Sequence, residues 1–203
     1  MTGNANIQPD RPEGGSSRLG REDWIAAAWE ALSEGSADTI KVDRLARRIG
    51  VTRGSFYWHF RNREDLIDAV VEYWLKRLAR NASLVDRHTE GATPEDRLWT
   101  VYDFVVRSVT GPQSVFLRIA AQKSPHLTRR LQDESTQRVD ADAALFCEMG
   151  LPPADAQQFA TLYNTMIVSE FLRNGALPLE ERLALARSQH DLVINAARRF
   201  SPA

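Results

Sequence analysis

A single cysteine, Cys147, stands among 203 residues, so no intrachain disulfide framework holds this chain together. That fits a reducing compartment, and the expected state of Cys147 is a buried small apolar residue, not a nucleophile. No apolar run approaches the roughly 18 residues that span a bilayer. The polar N-terminus, with Pro9, Pro12, Gly14 and Gly15, lacks the hydrophobic segment of a signal peptide. A cytoplasmic protein without membrane association is expected. The four histidines, at 59, 88, 126 and 190, show no metal-ligand spacing. There is no Gly-rich phosphate loop, nucleophile elbow or Cys/His arrangement, so no cofactor and no enzymatic activity are expected.

What the chain does contain is helical punctuation. It is 43% hydrophobic, enough for a substantial core, and its apolar residues recur at the 3.6-residue period. Residues 1–17 have almost no apolar content and read as a disordered arm. Its bases, Arg11 and the nearby Arg18, face Asp10 and Glu13. It reads as a tail, with a DNA contact as the alternative. A first helix, Arg21 to Glu34, places Ile25, Ala28, Trp29 and Leu32 on one stripe, with Gly35 as its stop; Trp24 and Trp29 read as core. Asn62 can cap a long helix whose apolar residues run through Leu66, Val70, Trp74 and Leu78. The polar stretch from Asn81 to Ala92 reads as a loop. Thr93-Pro94-Glu95-Asp96 is a strong helix start, and Gly111-Pro112 reads as that helix's end. A short helix from about Gln113 to Ala121 follows. Ser124-Pro125 opens another reaching Glu148, and Pro153 and Pro178 open the last two. The sum is an all-α chain of nine helices.

The segment Lys41–Asp65 is the most informative. Val42, Leu45, Ala46 and Ile49 give one helix an apolar face, and Gly50 stops it through the left-handed conformation. Thr52 stands at the next N-cap, with Phe56 and Phe60 pointing inward and Val51 filling the angle between the helices. Thr52, Arg53, Ser55, Tyr57, Trp58 and His59 lie at or near the opposite face, a mixture suited to phosphates and base edges. Trp58 and His59 also fit packing beneath the helix that follows. Between Lys41 and Arg63 stand seven basic residues, opposed locally by Asp43 alone, in a chain of net charge −1.

With Leu45-Ala46, Gly50-Val51-Thr52, Gly54-Ser55-Phe56-Tyr57, His59-Phe60 and Arg63-Glu64, this segment resembles the DNA-binding domain of the TetR family of bacterial transcriptional regulators. It departs at Lys41, where threonine is common, at Phe56 for leucine, at Arg63 for lysine, and at Asp43, often a basic position. The resemblance covers about Ser17 to Leu78. It implies a two-domain architecture, with a DNA-binding domain over 18–78, its helix-turn-helix at about 41–60, and an effector-binding and dimerisation domain over 79–203. The implied activity is that of a sequence-specific regulator of transcription. The expected form is a repressor released from double-stranded operator DNA by a small-molecule effector of unknown identity. The alternative is a DNA-binding regulator controlled by a protein partner or without a small-molecule effector.

Expected DNA contacts are Arg44, Thr52, Arg53, Gly54, Ser55, Tyr57, His59 and Arg63. Arg53 and Ser55 are placed on base edges, Thr52, Tyr57, His59 and Arg63 on phosphates, and Gly54 against the groove wall. Pocket candidates are Trp74, Trp99, Tyr102, Phe104, Phe116, His126 and Asn164. The last two helices are apolar on more than one face, and the resemblance turns that pair into a homodimer interface. Its candidates are Phe159, Tyr163, Met166, Phe171, Leu185, Leu192 and Val193. His126 and Glu170, charged or titratable groups beside apolar segments, need partners.

Overall fold

The computed structural model describes residues 19–34, 40–108, 111–122 and 124–200, apart from the side chains of Asp86 and Pro112. The arm at 1–17, with Arg18 and Gly35, falls outside them. Among the described residues the chain is all-α, with nine helices and no strand. These are α1 (Arg21–Leu32), α2 (Val42–Ile49), α3 (Arg53–Phe56), α4 (Arg63–His88), α5 (Pro94–Arg107), α6 (Gly111–Ala121), α7 (Pro125–Glu148), α8 (Pro153–Asn174) and α9 (Leu179–Phe200).

The helix starts follow local chemistry. Asn62 accepts a hydrogen bond from the Asp65 amide, Thr93 from that of Asp96 and Ser124 from that of Leu127. Each satisfies an amide that the first helical turn cannot pair internally.

The polar stretch from Asn81, expected to be a loop, is helical as far as His88, so α4 is 26 residues, or roughly 39 Å, long. Its polar side chains bond back to their own helix: Ser83 Oγ donates to Ala79 O at 3.1 Å, and His88 Nδ1 lies 3.0 Å from Leu84 O. Leu78, Ala82 and Val85, which line one cavity, continue the helical spacing past the apolar half of the helix.

Gly111 begins α6 instead of ending α5, which stops at Arg107. A Cβ at Gly111 would lie 2.5 Å from the Phe171 ring, so only glycine allows α6 to start this close to α8. Cys147, expected inside, is exposed. Leu145 and Phe146 take the inward positions on that turn of α7.

Two hydrophobic clusters form. The first joins α1–α4 with Leu117 and Ala121 of α6 and Leu127 and Leu131 of α7. Trp24 and Trp29 both lie in it, as expected. The second is built from α5, the C-terminal half of α7, α8 and α9, around Tyr102, Phe146 and Tyr163. No described helix is long and apolar enough to cross a membrane.

Candidate nucleic-acid interface

The α2–turn–α3 unit is fixed from within. Gly50 adopts φ 73°, ψ 30°, and its amide donates to carbonyls of the last turn of α2. The Val51 amide then donates to Ala46 O at 2.9 Å, closing the turn. Beneath it Phe56 stacks on Phe60 at 5.3 Å and meets the edge of Trp24 at 5.2 Å. This aromatic floor sets how α3 lies on α1. Below it Asn62 caps the start of α4. The Asp65 carboxylate accepts from the Arg61 amide at 3.0 Å and from its guanidinium, which together hold its pKa below the usual value.

The side chains above the floor face outward. Tyr57 is 54% exposed and Trp58 88% exposed, so Trp58 does not pack under α4. His59 is half-buried. Thr52 occupies the N-cap position of α3, but its hydroxyl makes no capping bond. Gly54 and Arg53 are exposed and Ser55 is half-buried. The Arg53 guanidinium donates to the Tyr57 hydroxyl at 3.4 Å and lies 3.6 Å from Asp43, linking α3 to α2.

The basic patch is not opposed by Asp43 alone, as the local sequence suggested. Glu34, in the turn after α1, holds Arg44 at 2.8 Å and also bonds Arg48, which reaches Glu30 of α1 at 3.3 Å. These two arginines brace α2 on α1, and the Arg48 hydrogen bond holds the Glu34 carboxyl below its usual pKa. Arg63, expected on a phosphate, donates through Nε to Ile40 O at 2.8 Å, pinning the start of α4 to the entry of α2. Of the eight expected contacts, Thr52, Arg53, Gly54 and Tyr57 are exposed and Ser55 and His59 are half-buried around α3. Arg44 and Arg63 are engaged in the bonds to Glu34 and Ile40. Trp58, absent from the expected set, is the most exposed large hydrophobic side chain in this region.

Away from this surface, a cavity of about 490 Å³ lies between α4, α5 and α7. Leu75, Leu78, Val85, Val101, Phe104, Val105 and Leu145 supply its apolar walls. Arg97, Arg130, Glu134, Gln137, Arg138 and Asp142 are polar groups along it. Of the pocket candidates only Phe104 lines it. Trp74 is buried in the first cluster, with Phe116 packed against that cluster, and His126 is exposed. Trp99, Tyr102 and Asn164 lie on the α5 and α8 faces away from the cavity lining. Tyr102 is buried and donates to Gln189 Oε1 at 2.7 Å, and Asn164 is buried with its Nδ2 unpartnered.

Of the buried polar groups of the second cluster the sequence singled out Asn164 and Glu170; Glu170 binds Arg182 through both oxygens, at 2.9 and 2.5 Å. The Tyr163 hydroxyl donates to Leu98 O at 3.0 Å and lies 2.7 Å from His190 Nδ1. One hydroxyl proton serves one acceptor, so His190 Nδ1 carries its own proton and donates to Tyr163. Burial, and then the charge of Arg187, push the His190 pKa down to about 4, which keeps the ring neutral.

Tyr163 is therefore an internal residue and cannot belong to a subunit surface, as had been expected of it. Phe159 packs on Phe146 and Phe200, and Phe171 lies half-buried against Gly111 and Gly175. Met166 and Val193 pack on the second cluster. Leu185 and Leu192 do face outward, the latter 71% exposed, and α8 adds Leu162, Val168 and the 66% exposed Leu172.

Comparison with known proteins gives a consistent picture. Residues 25–70 match the family described as bacterial regulatory proteins, tetR family. The class A tetracycline repressor of transposon 1721 from Escherichia coli is 28% identical over 158 residues, 78% of this chain. The chain spans 65% of that repressor's length. The class C tetracycline repressor of Escherichia coli is 26% identical over 89% of this chain and 76% of its own. In structure, a transcriptional regulator from Rhodococcus sp. RHA1 superposes with a TM-score of 0.77 at 18% identity, covering 89% of this chain and 98% of its own.

Proposed function

We propose, since this chain belongs to the TetR family of bacterial regulatory proteins, that it is a sequence-specific repressor of transcription whose hold on operator DNA is set by a ligand in the α4–α5–α7 cavity. The observation that carries this reading is the outward surface of α3. A hydroxyl left uncapped at Thr52, the guanidinium of Arg53 and the exposed rings of Tyr57 and Trp58 stand together above a rigid aromatic floor.

Thr52 and the first amides of α3 suit a phosphate, as does the Tyr57 hydroxyl. Arg53 suits a guanine edge in the major groove once it leaves Asp43. The chain functions as a homodimer in this reading, with the exposed leucines of α8 and α9 meeting their copies, so that two α3 surfaces face successive major grooves. Helix α4 joins the two activities. Its first turn is bonded to Arg61 beside α3, and its second half walls the cavity. A ligand that favours one setting of α4 changes the spacing of the two α3 surfaces. It does so only through a difference in its affinity for the two settings.

Selection of tight binders from random duplex DNA tests this. The expected product is a two-fold symmetric site with half-sites about 10 base pairs apart, bound less tightly as salt rises. Arg53→Ala should relax preference at one base position by about 1–3 kcal/mol, while Tyr57→Phe should weaken all sequences alike. Enrichment of no symmetric site would overturn the reading.

A further inference from the structure

The polar side of the cavity is unevenly balanced. Three arginines line it, and each already faces an acid: Arg97 lies 3.6 Å from Glu148, Arg130 grips Glu72 with both nitrogens, and Arg138 lies 2.5 Å from Glu134. Asp142 has no comparable partner. It lies within the C-terminal half of α7, is only 4% exposed, and its Oδ2 is enclosed by protein without a hydrogen-bond donor. Glu170, the other acid buried this deeply, is gripped by Arg182 at both oxygens. A carboxylate oxygen enclosed without a donor is costly. That cost shows in the Asp142 pKa, which burial pushes up to about 7 against the opposing pull of Arg138 one turn earlier.

We infer that the ligand of this cavity is an apolar molecule carrying a positively charged nitrogen, and that Asp142 is the group that receives the nitrogen. The inference rests on the reading of the cavity as the effector site and adds the chemical class of the effector. An anion would have to draw an arginine away from its acid. A neutral hydrocarbon would fill the space between Val101, Phe104 and Leu145 but leave Oδ2 as it is. An ammonium on a hydrophobic body satisfies both halves of the cavity at once, and its volume of about 490 Å³ admits a ligand of drug-like size.

Titration calorimetry on the full chain without DNA tests this with three matched probes: 4-phenylbutylammonium, 4-phenylbutanol and 4-phenylbutyrate. The ammonium should bind at least about tenfold tighter than the other two, the ratio that one added charged hydrogen bond supplies. Asp142→Asn should reduce it to the level of the alcohol. Val101→Trp, which fills the apolar side and leaves Asp142 in place, should abolish binding of the ammonium. Should Asp142→Asn not fold, the probe ranking in the wild-type chain and the Val101→Trp result decide alone. Equal or tighter binding of the alcohol or the carboxylate, binding of none of the three, or an ammonium preference that survives either substitution overturns the inference. The readout involves no DNA, so failure here leaves the DNA-binding reading standing, and absence of a selected DNA site leaves this result standing.

Discussion

The two hydrophobic clusters are built differently. The one under α2 and α3 is sealed with rings and aliphatic side chains: Trp24, Phe56, Phe60 and Leu66 are essentially inaccessible, and no buried charged residue lies among them. The one formed by α5, α7, α8 and α9 encloses Asp142, Asn164, Glu170 and His190. A surface that must meet DNA in one geometry needs a floor that does not move, and close-packed rings provide it. On the proposed reading a ligand site needs a polar group whose satisfaction depends on what is bound, and of these four Asp142 alone lines the cavity, where an unpaired group is costly. Helix α4 joins the first cluster to the cavity, contributing Leu66 and Val70 to the one and Leu78 and Val85 to the wall of the other.

The sharpest way to break this contrast is to remove one member of a pair on each side. Arg182→Met leaves Glu170 buried and unpaired, and should cost about 3–5 kcal/mol in urea unfolding. Adding Glu170→Leu to it should recover most of that loss, since a packed apolar pair can match a buried ion pair. Phe56→Ala should cost about 3–5 kcal/mol through the cavity it leaves, and no second substitution of a polar group should rescue it. Equal rescue on both sides would show that the clusters follow the same rule.

A smaller effect concerns pH. The folded chain holds Asp142 near 7, above its ordinary 3.8, so it binds a proton there more readily than the unfolded chain does. Its contribution is fully present below about 4 and is lost as pH rises toward 7. His190 has the opposite sign: held near 4 against an ordinary 6.5, it disfavours folding at low pH and releases that penalty as pH rises to 6.5. Between pH 4 and 6.5 the two slopes oppose each other, and the wild-type stability should change little from this source. Asp142→Asn should uncover a stability that rises across this window, and His190→Gln one that falls, each by a few kcal/mol at most. Urea midpoints at half-unit pH steps read both. Parallel profiles for wild type and variants would mean that the second cluster does not carry these groups as buried titrating sites.

The parts of this architecture that the sequence displays are those decided within a few residues. Ser124-Pro125, Thr93-Pro94 and Asn62 announce helix starts because capping is local, and Gly50 announces the turn because only its backbone is asked to bend. The end of α4 was misread for the same reason: Ser83 and His88 look like loop residues until their bonds to the helix's own carbonyls are seen. What depends on distance between helices was not legible. The grip of Glu34 on Arg44 and Arg48 subtracts two cations from a patch that looked free. The choice of Phe104 over Tyr102 as a cavity wall turns on which face of α5 meets α9. The burial of Tyr163 on His190, and the outward turn of Leu162 and Leu172 in its place, are likewise set by neighbours far along the chain.

The smallest effect expected on stability separates the α3 surface from its floor. Trp58 differs from Phe56 by two positions, yet one ring is 88% exposed and the other inaccessible. Trp58→Ala should therefore alter the unfolding free energy by no more than about 0.5 kcal/mol, as for an exposed site without partners. On selected DNA the same substitution should weaken binding by roughly tenfold, because an aromatic ring loses apolar contact with sugars and thymine methyls. Fluorescence anisotropy on a labelled duplex measures the second effect and urea unfolding the first. A stability loss as large as that of Phe56→Ala would place Trp58 in the floor. Unchanged DNA affinity would instead confine the working surface to Thr52, Arg53, Ser55 and Tyr57, leaving an exposed tryptophan beside it with no role in recognition.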